Sequence, residues 1–252
     1  MLLRLAGPLQ SWGERSVFGN RDTLSFPTRS GLIGMFAAAQ GRHRDQNLDA
    51  YGALGFTVRI DRPGRLIEDF HTVGGGLPAS RGLPTSEGKR RDTALVSRRH
   101  YLSDAVFVVA VTGPDRLLAP ITDALETPVW APSLGRRACV PDEPLLLHAD
   151  VEDPVRELTE RVPLSLGHQP APGRKTVPVD FVWEAPPEGM AAAQRYETTD
   201  VPLSFTPGDR RFGSRPLWRT TEELPATLYA PRPSSRALID YTLAACAKEE
   251  PA

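Results

Sequence analysis

Residues 26–42 carry the clearest helical pattern in the chain. The apolar residues of this stretch recur at helical spacing and share one face, which consists of Leu32, Ile33, Phe36 and Ala37. Pro27 suits the start of a helix and Gly41 suits its end, because proline lacks a backbone donor and glycine tolerates the left-handed conformation. The pattern therefore predicts a short helix whose first-turn amides donate to the side chain of Thr28 or Ser30.

Two interpretations of this helix start are open from the residues alone. The free amides beside Arg29 are suited to hold a phosphate, because the start of a helix carries partial positive charge. The alternative is an ordinary core helix, in which the small residues Gly31, Gly34 and Ala38 let a strand pack close. The local pattern favours the core helix.

Apolar stretches with the character of β-strands precede and follow this helix, at residues 2–5, 55–61, 65–73, 104–112 and 144–149. The Pro63-Gly64 turn predicts that 65–73 returns as the partner strand of 55–61. A second helix is expected after Asp115, with Leu117, Leu118, Ile121 and Leu125 on one face. The order strand, helix, strand, strand, helix, strand predicts an α+β domain of the RRM or ferredoxin-like type over residues 1–150.

Residues 74–101 form an arm of different composition, rich in Gly, Pro and Ser and without an apolar period. The basic residues of the arm are Arg81, Lys89, Arg90, Arg91, Arg98 and Arg99, opposed only by Glu87 and Asp92. A long basic arm between two strands suggests nucleic-acid binding. A solvated, flexible loop fits this composition equally well, because charge runs are common on surfaces.

The chain becomes rich in proline from about residue 151. Residues 177–183 have the pattern of an edge strand, where Pro178 is tolerated, and 203–218 have the pattern of a hairpin. We expect a small β-rich region over 151–225. The tail, 226–252, is expected to contain a short helix between Ser234 and Lys248.

Composition adds few restrictions. The 252 residues carry a net charge of −1, so the whole molecule gives no sign of a polyanion partner, although all but three of the 30 basic residues are arginine. Arginine suits phosphate and base edges, but a GC-rich genome also raises its frequency. The two cysteines, Cys139 and Cys246, predict no disulfide framework and a reducing cytoplasm. No apolar run is long enough for a transmembrane helix, so no membrane contact is expected.

Candidate catalytic chemistry is sparse. The sequence contains no phosphate-binding loop or dinucleotide fingerprint, and no pair of histidines has metal-ligand spacing, so we expect neither cofactor nor metal. Metal-independent RNA cleavage needs a general base and a general acid, and His71, His100, Tyr101 and Lys89 lie in or beside the basic arm. The alternative, in which these residues only pack or contact solvent, is favoured because no placed partner is evident.

Several motifs together resemble a known family, and they lie at 3–13, 26–34, 69–73, 99–105 and 134–139. In this order they resemble the Cas-five family, whose members are subunits of the type I-E CRISPR surveillance complex, Cascade. The similarity spans about residues 2–150 and thins afterwards, although 209–215 resembles a C-terminal family segment.

The resemblance implies an RRM-like domain of the repeat-associated mysterious protein type, with residues 74–101 as an inserted basic β-hairpin called the thumb. Family members cap the 5′ handle of CRISPR RNA and sit between the CasC backbone and the large subunit CasA, in a complex that recognises target DNA. Guide processing in this subtype belongs to CasE, so the resemblance implies a non-catalytic subunit. Relatives in another subtype cleave precursor RNA, which makes endoribonuclease the alternative.

The handle is single-stranded, so its bases are open to stacking and its phosphates to arginines and amides. Residues suited to these contacts lie in the Trp12 loop, at the helix start, in the thumb and in the glycine-arginine loop after Leu134. The predicted RNA contacts are Gln10, Trp12, Arg21, Thr28, Arg29, Ser30, Gly31, Arg81, Arg98, Arg99, Tyr101, Arg136 and Arg137.

Overall fold

A computed structural model describes residues 1–14, 16–17, 19–76, 78–84, 90–91, 93–185, 193–230 and 235–247. The strands are β1 (Leu2–Ala6), β2 (Leu9–Gln10), β3 (Ser16–Val17), β4 (Asn20–Arg21), β5 (Gly55–Arg62), β6 (Arg65–Val73), β7 (Leu83–Pro84), β8 (Arg90–Arg91), β9 (Leu95–Ser103), β10 (Val106–Thr112), β11 (Leu146–His148), β12 (Thr176–Trp183), β13 (Gln194–Ser204) and β14 (Arg211–Pro225). The helices are α1 (Arg29–Ala39), α2 (Asp115–Glu126), α3 (Pro154–Glu160) and α4 (Ser235–Cys246), and short 3-10 turns cover Asp49–Ala53, Ala79–Arg81 and Ala226–Leu228.

The main sheet has seven strands in the order β11-β1-β10-β5-β12-β14-β13. Every neighbouring pair in this sheet is antiparallel. The part formed by β1, β5, β10 and β11 with α1 and α2 has the predicted alternation of strands and helices, which is consistent with a ferredoxin-like type of fold.

Both faces of the main sheet are covered, which explains why β10 is apolar throughout. Phe107 and Val109 face one cluster, which contains Leu32 and Phe36 of α1. Val108 and Ala110 face the other cluster, whose members include Leu158 of α3 and Leu238 of α4. A strand buried on both faces is expected to lack polar alternation.

The hairpin predicted between 55–61 and 65–73 does not form. β5 pairs with β10 and β12, whereas β6 leaves the main sheet and pairs along its whole length with β9. The chain changes sheet at Gly64 and Asp104, both of which have positive φ, and a side chain at Gly64 would lie 2.7 Å from the carbonyl oxygen of Ser103. The strands β6 and β9, with the residues between them, form the arm of the structure. This arm covers residues 65–103 and is therefore longer than the arm of 74–101 that the composition indicates.

β9 is the centre of the second sheet. β6 lies on one side of it, while β2 and β4 pair with it on the other side. The strands of the arm therefore begin nearer to the main sheet than the predicted thumb, 74–101. Lys89, Glu87 and Asp92 of the predicted thumb lie outside the described residues.

The C-terminal strands continue the main sheet. β12 lies between β5 and β14, so the edge position predicted for 177–183 is wrong. Pro178 pairs in register with Glu223 of β14, and it lies before the part of β12 that β5 reaches, Asp180–Trp183, which explains how an interior strand tolerates proline. The predicted hairpin is confirmed by β13 and β14, and the predicted terminal helix by α4. Among the described residues, no helix has the length and hydrophobicity needed to cross a membrane.

Candidate nucleic-acid interface

Arg29, the first residue of α1, is buried and engaged inside the protein. Its guanidinium pairs with Glu184 at 2.9 Å. The same group donates to the backbone oxygens of Leu54 at 2.8 Å, Tyr51 at 3.0 Å and Gly52 at 3.2 Å. This side chain, predicted to contact RNA, is thus directed to partners inside the protein.

The anion at the helix start is a carboxylate of the protein. The Arg29 amide donates to Asp200 Oδ2 at 2.7 Å, and the fully buried Asp200 pairs with Arg215 at 2.5 Å. Thr28 is the N-cap, as predicted, and its hydroxyl accepts from the amide of Gly31 at 3.2 Å. At Thr28–Gly31, where the sequence predicts a phosphate site, Asp200 occupies the position of the anion.

Arg29, Arg215, Glu184 and Asp200 form a balanced network, in which Arg215 also contacts Glu184 at 2.5 Å. Burial by itself lowers the pKa of Arg215, but the hydrogen bonds that Arg215 donates to Asp200 and the charges of Glu184 and Asp200 outweigh it and raise that pKa. Both guanidinium groups are thus matched by carboxylates. We call these four residues the helix-start network.

Gln10 and Trp12 lie in the core, with no exposed surface. Gln10 Nε2 donates to the backbone oxygens of Leu5 and Ala105 at 3.0 and 2.9 Å, and its Oε1 accepts from Trp12 Nε1 at 3.0 Å. The indole packs on Gly31, where an added Cβ would lie 2.8 Å from Trp12 Cε3. Both side chains, predicted to meet bases, thus have their partners inside the core, and close packing explains the glycine.

Four of the predicted contacts meet at the base of the arm. Arg21 of β4 lies beside Arg99 of β9 in register, and Tyr101 follows on the same face of β9 because side chains alternate along a strand. The Arg136 guanidinium lies over the Tyr101 ring, 4.5 Å from its centroid, and donates to the Arg21 backbone oxygen at 2.9 Å. We call Arg21, Arg99, Tyr101 and Arg136 the arm-root cluster.

The arm-root cluster is electrostatically unlike the helix-start network. Its arginines form no ion pair with any carboxylate among the described residues, although Asp69 lies opposite Arg99 in register and instead approaches His71 at 3.6 Å. Arg136 Nη1 is buried and has no hydrogen-bond partner within that same part of the chain. Such a donor is costly to leave unpaired, so it favours an incoming acceptor.

The loop that carries Arg136 is fixed by close backbone contact. Ser11 donates its amide to the Leu134 oxygen at 3.0 Å, and Gly135, at φ +88°, would place a Cβ only 1.8 Å from the Ser11 oxygen. Only glycine fits this position. The glycine-arginine loop thus lies beside a sheet and holds Arg136 against Tyr101 of β9.

Arg98 and His100 lie on the opposite face of β9 from the arm-root cluster. Both contact Glu68, Arg98 at 2.9 Å and His100 at 3.3 Å. His71 is on the Arg99 face, so the sheet separates it from His100. The acid–base pair considered for RNA cleavage is therefore not assembled from these two histidines.

The remaining predicted contacts lie at or near the surface. Arg137 is exposed next to Arg136, and Arg81 is exposed beyond the ends of β6 and β9. Ser30 and Gly31 are half-buried in the first turn of α1, with Ser30 Oγ 3.4 Å from Thr28 Oγ1. Within the described ranges, none of these residues forms a side-chain hydrogen bond, ion pair or ring contact with the arm-root cluster.

Three charged residues at or near these sites escaped sequence reasoning. Glu184 and Asp200 balance Arg29 from more than 150 positions away, and no local pattern signals such a pairing. Arg210 lies in the turn between β13 and β14, over the rings of Phe205 and Phe212. The basic and aromatic composition of residues 205–212 was the available signal. In the described part of the chain, no group of three or more His, Cys, Asp or Glu side chains is placed to hold a metal ion.

Comparison with known proteins gives concordant matches. A family model described as "CRISPR-associated protein (Cas_Cas5)" matches residues 1–217. The Escherichia coli (strain K12) protein "CRISPR system Cascade subunit CasD" is 35% identical over 179 residues, covering 65% of this chain and 77% of that protein.

Solved structures agree. A chain in a "CRISPR RNA-guided surveillance complex" is 51% identical, with a TM-score of 0.87, and the match covers 96% of this chain and 98% of the other. A "Crystal structure of Cas protein" is 32% identical, with a TM-score of 0.63, over 91% of this chain and 96% of the other.

Proposed function

The chain belongs to the Cas5 family of CRISPR-associated proteins, and from this premise we propose that it is a non-catalytic RNA-binding subunit of a type I-E Cascade complex. In this role it caps the 5′ handle of CRISPR RNA and links the CasC backbone to the large subunit CasA. The assembled complex, located in the cytoplasm, recognises target DNA by base pairing with the guide.

The observation that carries this proposal is the arm-root cluster. Three arginines without a carboxylate partner among the described residues come together here, and one of them, Arg136, lies over the Tyr101 ring. Guanidinium groups bind phosphate oxygens in fork geometry, and their planes also stack on unpaired bases. A single-stranded handle offers both kinds of contact, whereas duplex RNA hides its bases in stacks.

The two faces of the arm are suited to different partners. The Arg99 face adjoins the arm-root cluster. Exposed apolar residues lie on both faces, but the two most exposed, Leu66 and Phe70, are 64% and 61% accessible and lie on the opposite face. Large exposed apolar side chains favour a protein contact, so we assign that face to a neighbouring Cascade subunit.

The fold supports the same assignment at the level of its domain. We infer that β1, β5, β10 and β11 with α1 and α2 form an RRM-like domain of the repeat-associated type, and that the arm is its inserted thumb. The arm carries RNA contacts on strands rather than on a free loop, so the contacts are pre-organised.

Co-purification tests the proposal most directly. The chain is expressed with the other Cascade subunits, captured by an affinity tag, and the bound RNA is sequenced. We expect CasC and CasA in the captured material, together with RNA whose 5′ ends coincide with the repeat-derived handle. Capture of the protein subunits without RNA, or of RNA with random 5′ ends, would contradict the proposal.

A second measurement separates binding from cleavage. The purified chain is incubated with repeat RNA in the presence of a metal chelator, and we expect intact RNA. A discrete product that disappears in both His71→Ala and His100→Ala would instead establish the endoribonuclease alternative.

A further inference from the structure

The turn between β13 and β14 carries a second basic and aromatic group, apart from the arm. The guanidinium of Arg210 lies 5.9 Å from the centroid of the Phe205 ring and 5.5 Å from that of Phe212. The two rings are themselves 6.4 Å apart and tilted by 59°. Cation–π contact with two rings restricts the orientation of the guanidinium, so its N–H groups are presented in a defined direction.

Positive charge gathers around Arg210. Partial desolvation lowers the pKa of this guanidinium, and the charges of Arg44 and Arg21 lower it further. No carboxylate among the described residues forms an ion pair with Arg21, Arg44 or Arg210. Like charges brought together from three separate segments create a positive potential that attracts an anion.

The neighbouring arginine shows the ordinary arrangement. Arg211 directly follows Arg210 in the chain, but its Nε atom lies 3.1 Å from Asp209 Oδ1. The side chains of Arg211 and Asp209 are both largely exposed. The carboxylate that the turn supplies is thus used by Arg211 and not by Arg210. Two adjacent arginines therefore differ in whether a carboxylate partner is present.

The position of this group links it to the arm. Phe205 lies against α1, where a Cβ on Gly34 would be 3.8 Å from its ring. Arg21 is common to both groups, since it interacts electrostatically with Arg210 and pairs in register with Arg99. A basic path thus runs from the arm root, through Arg21, to the turn over α1.

We propose that Arg210, held by Phe205 and Phe212, binds a backbone phosphate of single-stranded RNA, with Arg21 and Arg44 as flanking contacts. This site extends the RNA path from the arm-root cluster, through Arg21, to the β13–β14 turn over α1. The inference rests on the proposed function. Because it contacts phosphate, it adds affinity and fixes the course of the strand without reading the base sequence.

The test uses the full-length chain and a fluorescent single-stranded RNA of mixed sequence, about 16 nucleotides long, the upper range for one single-strand-binding domain. A phosphate contact is independent of sequence, so this probe is sufficient. We expect Arg210→Ala to weaken binding about tenfold, as for loss of one charged hydrogen bond. The slope of log affinity against log salt concentration should fall by about 0.7, the contribution of one phosphate in a single strand.

Arg211→Ala is the matched control, because it removes the same charge one position away from a paired side chain. We expect it to change affinity less than about twofold, in line with the small contribution of exposed ion pairs. Arg210→Lys keeps the charge but not the planar stacking on the rings, so it should keep most of the salt slope while losing part of the affinity.

The outcomes distinguish this inference from the proposed function. If Arg99→Ala weakens RNA binding while Arg210→Ala matches the wild type in affinity and slope, only the inference is overturned. If neither variant differs from the wild type, or if the wild type binds no RNA, the proposed function fails as well. If Arg210→Ala loses a Cascade subunit on capture but keeps its RNA salt slope, the turn binds an acidic protein surface and the inference is overturned.

Discussion

Arginine has opposite environments at two places in this molecule. In the helix-start network, Arg29 and Arg215 are buried between Glu184 and Asp200, and their charges are balanced. In the arm-root cluster, Arg21, Arg99 and Arg136 have no carboxylate partner among the described residues. Residue type alone therefore does not identify a nucleic-acid contact. The supply of carboxylates around each guanidinium decides whether its charge is available to an external anion.

The comparison also separates two energetic roles. A guanidinium in a buried, paired network stabilises the fold, because removing one member leaves a buried charge without compensation. A guanidinium that lacks a partner contributes little to stability but keeps its full attraction for phosphate. The following predictions test this division, beginning with the largest expected effect.

Arg29→Ala should lower the free energy of unfolding by about 3–5 kcal/mol, because it breaks a buried ion pair and removes a hydrogen-bond donor from three backbone oxygens. Denaturant unfolding followed by circular dichroism measures this change. Arg98→Ala, which removes an exposed pair with Glu68, is the control and should cost less than about 1 kcal/mol. Full stability of Arg29→Ala combined with a reduced salt slope for RNA would restore the phosphate interpretation of the helix start.

Gly31→Ala should destabilise the chain by about 1–3 kcal/mol, since the added Cβ would lie 2.8 Å from the fully buried indole of Trp12. Gly34→Ala is the matched substitution three positions along α1. Its Cβ would make only an ordinary contact, 3.8 Å from Phe205, so it should be neutral or stabilise by up to about 1 kcal/mol through helix propensity. Thermal unfolding of both variants gives the result. Equal melting temperatures would show that Trp12 is not packed as described.

Arg99→Ala should weaken RNA binding about tenfold and lower the salt slope by about 0.7, with stability nearly unchanged. Arg98→Ala changes the neighbouring residue on the opposite face of β9, where Glu68 already pairs with it, and we expect less than about a twofold effect. Fluorescence anisotropy titrations at several salt concentrations measure both quantities. Equal losses in the two variants would remove the distinction between the two faces of the arm.

The smallest expected effect concerns thiol labelling. Cys139 ends the loop that carries Arg136 and is buried, and burial raises the pKa of its thiol, whereas Cys246 is exposed. In native protein we expect a maleimide reagent to label Cys246 alone, and in denaturant to label both. Cys246→Ser isolates the signal of Cys139. Rapid labelling of Cys139 in that native variant would mean that the arm-root cluster opens without RNA.

Local pattern predicted the helix α1, its Thr28 cap and the strands β1, β5 and β10, because each depends on residues close together in the chain. The family was also identified from sequence motifs, and the comparisons confirm it. The pairing of β6 was predicted wrongly. A Pro-Gly turn indicates that the chain reverses, but it does not show that positive φ at Gly64 and Asp104 redirects the strands into a second sheet.

Some of the predicted RNA contacts come together in the structure, and others are buried in the protein. Arg21, Arg99, Tyr101 and Arg136 converge because β4, β9 and the glycine loop meet, and this convergence was not visible in the sequence. The burial of Arg29 was not visible in the sequence because its partners Glu184 and Asp200 come from the C-terminal part of the chain. Single-residue chemistry names candidates, but only tertiary structure shows which charges are already balanced.

The junction of the arm with the main sheet has a consequence for evolution. The arm leaves and returns between β5 and β10, which are paired there through Arg62 and Val106. Its length can therefore change without disturbing the core, since the ends stay fixed. Side chains alternate between faces, however, so inserting one residue in one strand would exchange the side chains of its two faces. Relatives with longer or shorter arms should differ by even numbers of residues per strand, or carry a bulge that restores the alternation.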